Sequence, residues 1–271
     1  MSHLDVPGAK VYHEVAGSGP VVLCISGADG SCDIWRGFVP GLTDHYTVIT
    51  WDRRGFSRSY LTGEQDYDHR IERDVDDAAE LIKKYSPNEP ITVIGNSSGA
   101  IIALKLLIRH PDLVKTVIPY EPPAVSFLPA DDADWHWKKH QETYATYRKS
   151  GVHPALEGFA ELTHAKQKNL AKFIDFAKPY MFSNTMYWFE REFMTYPFTK
   201  FDVENEIQPL KEKLLLINGE ESPEGPYQVR ANLLLAEKLG VEVVSFPGEH
   251  VGHATHAEAF AKKFVEVVEQ R

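Results

Sequence analysis

The chain has 271 residues, 43% apolar and 25% charged, which is the balance of an ordinary globular protein and excludes a disordered or collagen-like chain. That length suits one large α/β domain carrying an insertion. The formal charge of −10 repels phosphate backbones and no basic cluster offsets it, so nucleic acid is not an expected partner.

The longest uncharged run, around residues 91–104, is too short to span a bilayer and is broken by Gly and Ser, so no membrane partner is expected. The opening residues MSHLDVPGAKVYHE contain no apolar core of a secretion signal, and the expected location is the cytoplasm. Cys24 and Cys32 are the only cysteines, and Cys24 lies in an apolar run, as a buried free thiol would.

Short β-type runs alternate with longer helical patterns. Strands are predicted over 10–14, 21–25, 47–51, 91–95, 114–120, 214–218 and 241–246. Several are apolar on both faces, as parallel strands covered by helices on each side must be. Between them, residues 68–85 place Ile71, Val75, Ala78, Ala79 and Ile82 at helical steps. Residues 99–110 form a nearly all-apolar helix stopped by Pro111, and residues 227–239 end at a capping Gly240. Phe260, Phe264, Val267 and Val268 mark a last amphipathic helix. This alternation predicts an α/β fold with a mostly parallel central sheet and helices on both faces.

One segment breaks the rhythm. Residues 122–205 contain no clear strand but many aromatics, among them Trp135, Trp137, Tyr144, Tyr147, Phe159, Phe173, Phe176, Tyr180, Tyr187, Trp188 and Phe189. Trp137, His140, Tyr144 and Tyr147 fall on one helical face. The segment reads as a helical cap inserted into a core formed by residues 1–121 and 206–271.

The chemistry centres on Gly95-Asn96-Ser97-Ser98-Gly99, a G-x-S-x-G sequence between an apolar strand and an apolar helix. In that context the serine stands on a tight turn, exposed at a helix N-terminus whose dipole favours negative charge. A serine hydroxyl needs a base, and the chain order for this motif is Ser, acid, His. His250 is the first histidine after the last predicted strand, ahead of its competitors His253 and His256. The spacing H-x2-H-x2-H raises zinc, but no other ligand cluster stands near in sequence, so no metal and no cofactor are expected.

The acid has three candidates. Asp is often found a few residues past the glycine that follows the strand at 214–218, yet Ser222 stands there. Glu121 closes the strand next to that of the nucleophile, and Pro122 and Pro123 turn the chain away at once. Glu121 is preferred, Glu221 is the alternative acid and Glu220 stands behind it. Two backbone N–H groups must face the developing oxyanion. Ser98 supplies one, and Gly27 or Ala28 in the loop Ser26–Gly30 supplies the other. Asp52, in Asp52-Arg53-Arg54-Gly55-Phe56-Ser57-Arg58-Ser59, precedes Ser97 in the chain and reads as a prop for that loop rather than as the acid.

Together these residues resemble the α/β-hydrolase superfamily over nearly the whole chain. Within it, the stretch from Gly95 to Pro123 looks like the branch that includes the fungal zearalenone lactonases. That branch is similar in carrying its acid as a Glu after the strand that follows the nucleophile, which implies Glu121. Its cap Trp facing the substrate implies Trp188, with Tyr187 and Asp29 as further substrate contacts. The resemblance implies hydrolysis of a carboxylic ester or lactone by a Ser-His-Glu triad. The aromatic cap implies a small hydrophobic, aromatic or polyketide-like substrate. Alternatives are a carbon–carbon bond hydrolase and a slow-turnover ligand receptor on the same fold, and the chain is compatible with a homodimer. Epoxide hydrolases and haloalkane dehalogenases are disfavoured, because they use Asp where Ser97 stands.

Overall fold

The computed structural model describes residues 2–163 and 174–271. Phe173, counted above among the cap aromatics, lies outside the described residues.

Among the described residues nine strands form one sheet: β1 Ser2–Val6, β2 Ala9–Gly17, β3 Val21–Ile25, β4 Thr47–Trp51, β5 Tyr60–Leu61, β6 Ile91–Asn96, β7 Val114–Tyr120, β8 Leu216–Gly219 and β9 Val243–Phe246. Their order is β1-β2-β4-β3-β6-β7-β8-β9, with β5 paired to β2. Every pairing from β4 through β3, β6, β7 and β8 to β9 is parallel, whereas β2 pairs antiparallel with β1, β4 and β5.

The pleat explains the doubly apolar central strands. Leu23, Ile49, Val93, Val117 and Leu216 face one core, against α1 Arg70–Tyr85, α2 Ser98–Arg109 and a later helix, Tyr227–Leu239. Their alternate neighbours Val22, Cys24, Val48, Ile94, Ile118 and Ile217 face the other, against Trp35, Phe38 and the last helix, Ala257–Val268. All six residues of β6 are buried. Both Cys24 and Cys32 are buried free thiols.

The antiparallel edge departs from the sequence expectation. β1 has no counterpart in it and β2 runs longer, because β1 reads SHLDV and is mostly exposed, with no apolar run to announce it. β8 and β9 each begin two residues later than predicted, the chain before β8 being a 3₁₀ helix over Gln208–Lys213.

Between β7 and β8 lie α3 Ala130–Ser150, α4 Val152–Thr163 and α5 Met181–Arg191. They carry a cluster of their own, with Tyr147, Leu162, Trp188, Phe189 and Phe193, that meets the core at Phe56. The stripe expected on α3 is displaced: His136, His140, Thr143 and Tyr147 are buried, whereas Trp137 is 42% exposed. A large ring can pack one edge and leave the other wet, here against Phe198 at 4.8 Å, so aromaticity alone does not mark the buried face. Among the described residues no helix is long and apolar enough to cross a membrane.

Candidate active site

The turn from β6 into α2 sets Ser97. Its φ is +55°, in the left-handed region that a side chain rarely adopts. The flanking glycines make that turn possible. A Cβ on Gly95 would stand 2.2 Å from the Gly99 carbonyl oxygen, and one on Gly99 2.2 Å from that of Ile25. The Ser97 amide donates to Tyr120 O at 3.0 Å, which ties the turn to β7.

Glu121 follows directly after β7 and is also in the left-handed region, at φ +45°. Its side chain is fully buried, and its carboxylate accepts three hydrogen bonds. Gly219 N donates to Oε1 at 2.9 Å, Ser222 Oγ donates to Oε1 at 2.6 Å and His250 Nδ1 lies 2.6 Å from Oε2. An ionised carboxylate only accepts, so Nδ1 carries the shared proton and Nε2 is left as the basic nitrogen. The His250 loop is tied down by Asn96 Nδ2, which donates to His250 O at 2.8 Å, and by the Tyr120 hydroxyl, which donates to Glu249 O.

Ser97, Ser98, Gly27, Ala28, Glu121 and His250 all line one cavity of about 1070 Å³. Ser97 Oγ and His250 Nε2 share that cavity but do not form a hydrogen bond with each other in this structure, a separation common in hydrolases without substrate. Of the other candidate acids, Glu221 also borders this cavity and Glu220 does not, and neither is paired with His250. Glu220 and Glu221 are exposed, and Glu221 sits 3.4 Å from His256 Nε2. The three histidines of the H-x2-H-x2-H run diverge: His250 meets Glu121, His256 meets Glu221, and His253 stacks on Trp35 with ring centroids 4.1 Å apart. Burial pushes the His253 imidazole down to about 3, so it stays neutral. Among the described residues no group of three His, Cys, Asp or Glu side chains is placed to hold a metal ion.

The loop after β3 is held by the turn after β4. Arg53 Nη2 donates to Gly27 O at 2.7 Å. A trans peptide points its C=O and N–H in opposite directions, so the Ala28 N–H faces away from Arg53. Asp52 accepts from Cys32 N, just past that loop, at 2.8 Å and from Arg58 Nε at 2.6 Å, while the Arg53 amide next to it donates to Gly30 O at 2.8 Å. Arg53 is itself buried between Asp74 of α1, at 2.9 Å, and Glu192, at 2.6 Å, just past α5. Burial opposes its charge, and the two carboxylates outweigh that and hold the guanidinium protonated.

Trp188 lines the cavity with Phe159, Phe193, Pro197, Tyr227 and Val229. Asp29 lines it too, accepts from Asn184 Nδ2 at 3.1 Å, and has its carboxyl pushed up by burial. Tyr187, one position from Trp188, is turned the other way. Its ring packs edge-on against Phe56 at 5.0 Å and fills the space above Gly55, so it is not among the described residues that line the cavity. Neighbouring positions on a helix are about 100° apart, so the two side chains leave α5 in different directions.

Asn96, Arg53, Ser222 and Glu192 are the positioning residues that the motifs do not single out. Asn96 stands inside G-x-S-x-G and Arg53 inside the turn beside Asp52, so both were within reach of the sequence. Ser222 and Glu192 carry no local signal, since their partners lie about a hundred residues away or more.

A family model described as "alpha/beta hydrolase fold" matches residues 20–256. The chain belongs to the α/β-hydrolase family. It is 32% identical over 273 residues to "Uncharacterized hydrolase YraK" of Bacillus subtilis (strain 168), covering 98% of this chain and 95% of that protein. It is 27% identical over 118 residues to 2-hydroxy-6-oxo-6-(2'-aminophenyl)hexa-2,4-dienoic acid hydrolase of Metapseudomonas resinovorans, covering 42% of this chain and 40% of that protein. Among solved structures, a thermophilic esterase from Thermogutta terrifontis superposes with a TM-score of 0.77 at 16% identity, covering 100% of this chain and 99% of that one. At that identity the likeness is one of fold.

Proposed function

We propose that the protein is a serine hydrolase that cleaves a carboxylic ester or lactone, with Ser97 as nucleophile, His250 as base and Glu121 as acid. The observation that carries this reading is the 2.6 Å pairing of buried Glu121 with His250 Nδ1, in the cavity that also holds Ser97 on its strained turn.

In this reading, His250 Nε2 removes the hydroxyl proton and Ser97 Oγ attacks the carbonyl carbon. The Ala28 and Ser98 amides bind the resulting oxyanion. The tetrahedral adduct collapses with His250 donating its proton to the leaving alkoxide, which leaves an acyl-serine. Water, deprotonated by the same imidazole, then releases the acid and restores Ser97. Glu121 keeps Nδ1 protonated and stabilises the transient imidazolium. The chain over 122–205 acts as the cap, and its Trp188 face supplies apolar surface for the substrate. The Glu acid after β7 is also what the resemblance to the zearalenone lactonase branch rests on.

The test is covalent labelling with a fluorophosphonate, located by peptide mass, together with turnover of short, aryl and macrocyclic esters. Ser97 should carry the label, and Ser97→Ala should lose multiple turnover while remaining folded. A label elsewhere, or undiminished activity in the variant, overturns the reading. A carbon–carbon bond hydrolase is a second reading, favoured by the Metapseudomonas relative. Preferential turnover of diketone-type substrates over esters would select it.

A further inference from the structure

Ala28 sits in a tight turn. Gly30 N donates to Gly27 O at 2.9 Å, which makes Ala28 and Asp29 the two central residues. Arg53 fixes both ends of this turn, since its Nη2 donates to Gly27 O at 2.7 Å and its amide donates to Gly30 O at 2.8 Å. A turn held only at its ends still tilts about the line that joins them. The bond that opposes this tilt comes from a side chain in the middle: Asp29 Oδ1 accepts from Asn184 Nδ2, on α5, at 3.1 Å.

Asn184 is 3% exposed and borders the cavity beside Ala28 and Asp29. Its amide makes two further bonds, both to Ser57 in the turn after β4. Nδ2 donates to Ser57 Oγ at 2.8 Å, and Oδ1 accepts from the Ser57 amide at 2.9 Å. A backbone amide only donates, so Oδ1 must face Ser57, and the NH2 group is the side that reaches Asp29. Ser57 is itself in the left-handed region, at φ +46°. One buried amide on α5 therefore ties the turn after β3 to the turn after β4. Trp188 stands one helical turn further along α5 and borders the same cavity, so the helix that supplies apolar surface also braces the Ala28 turn.

Resting on the serine-hydrolase reading above, we propose that Asn184 is a positioning residue that acts through Asp29 to hold the Ala28 amide at its oxyanion-binding angle. Seating of α5 and completion of the oxyanion site are then one event. A donor to a developing oxyanion contributes only at hydrogen-bond length, and a small misplacement costs rate without weakening ground-state binding.

The experiment combines steady-state kinetics on 4-nitrophenyl butyrate with the rate at which a fluorophosphonate labels Ser97. Asn184→Leu keeps the volume and removes every polar contact, and Asp29→Ala removes the acceptor from the other side. Each should lower kcat and slow labelling by about tenfold to thirtyfold, with KM within about twofold of wild type. Both changes cut the same bond, so the double variant should be no worse than the more impaired single one. Asp29→Asn keeps an oxygen for Asn184 to reach and should stay within about threefold of wild type. A loss carried by KM, a kcat within about threefold of wild type in Asp29→Ala, or losses that multiply in the double variant overturns the proposal. Should Asn184→Leu fail to fold by circular dichroism, Asp29→Ala and Asp29→Asn decide alone: the first should lose kcat and the second keep it, and equal values overturn the proposal. Absence of Ser97 labelling in the wild type overturns the hydrolase reading and the proposal with it.

Discussion

Ser222 Oγ donates to Glu121 Oε1 at 2.6 Å, so the residue standing where an acid is often found after β8 is bonded to the carboxylate that the proposed mechanism uses after β7. From the end of β7, one strand away from β8, the Glu121 carboxylate reaches His250 Nδ1 at 2.6 Å. Glu121→Gln preserves volume but removes the charge that stabilises the imidazolium. It should lower kcat by about three to four orders of magnitude, with thermal unfolding showing an intact fold. Ser222→Ala should cost about tenfold, the loss of one hydrogen bond to a carboxylate that keeps two others. Glu221→Gln should be nearly silent. If Glu221→Gln is the more damaging change, the acid is wrongly assigned.

His250 and His253 lie three residues apart but in different chemical worlds. His250 reaches Glu121, whereas His253 has no polar partner at either ring nitrogen among the described residues and is packed against Trp35, Tyr120 and Phe260. His250→Ala should reduce kcat by several orders of magnitude, while His253→Phe should leave it within about threefold. Steady-state kinetics on a 4-nitrophenyl ester checks both. A His253→Phe enzyme as impaired as His250→Ala would show that His253 is the base.

The parts of this molecule that sequence could reveal are those whose physics is local. The strands β3, β4 and β7 are apolar runs at the centre of a parallel sheet, and their bounds follow from composition alone. The turn at Ser97 is announced by glycines that must pass close to Ile25 and to their own helix. Glu121 could be preferred because two prolines fix the chain beside it, but its three hydrogen bonds come from Gly219, Ser222 and His250, far along the chain. β1 was hidden because an exposed edge strand needs no apolar pattern. The facing of Trp188 and the turning away of Tyr187 depend on the rotation of α5 about its axis, which tertiary packing sets and a dense aromatic segment does not reveal.

Arg53 joins the loop after β3 to the chain just past α5, with Gly27 O on one side and Glu192 on the other. Arg70 also reaches Glu192 Oε1, at 3.3 Å, and the Tyr196 hydroxyl donates to Asp74 Oδ2 at 2.5 Å. Every charged group in this cluster is almost fully buried, so each depends on its partners for the solvation it has lost. Glu192→Ala leaves two guanidinium groups short of a counter-charge and should destabilise the fold by about 3–5 kcal/mol. Urea unfolding checks this, read as a lower midpoint at unchanged slope. A midpoint equal to that of the wild type would mean that the Arg53–Glu192 bridge contributes nothing.

Acid sensitivity follows from His253. In the folded protein its imidazole is pushed from an ordinary 6.5 down to about 3 by burial, so it remains neutral where an unfolded chain would take up a proton. Above pH 6.5 both states are neutral at this position and its contribution to stability is fully present. As the pH falls from 6.5 toward 3, the unfolded state binds a proton that the folded state refuses, and stability declines by about 1.4 kcal/mol per pH unit for this group. His140, pushed down to about 4, acts in the same direction. His253→Phe keeps a ring against Trp35 and has nothing to protonate. Urea unfolding at pH 7 and pH 5 should therefore show the wild type losing about 2 kcal/mol more than the variant between the two conditions. At pH 7 the variant should be as stable as the wild type or more so, because it also removes two ring nitrogens without partners. Parallel losses in the two proteins would show that the folded state takes up the proton at His253 after all, through a solvent path or partner that the packed ring does not have.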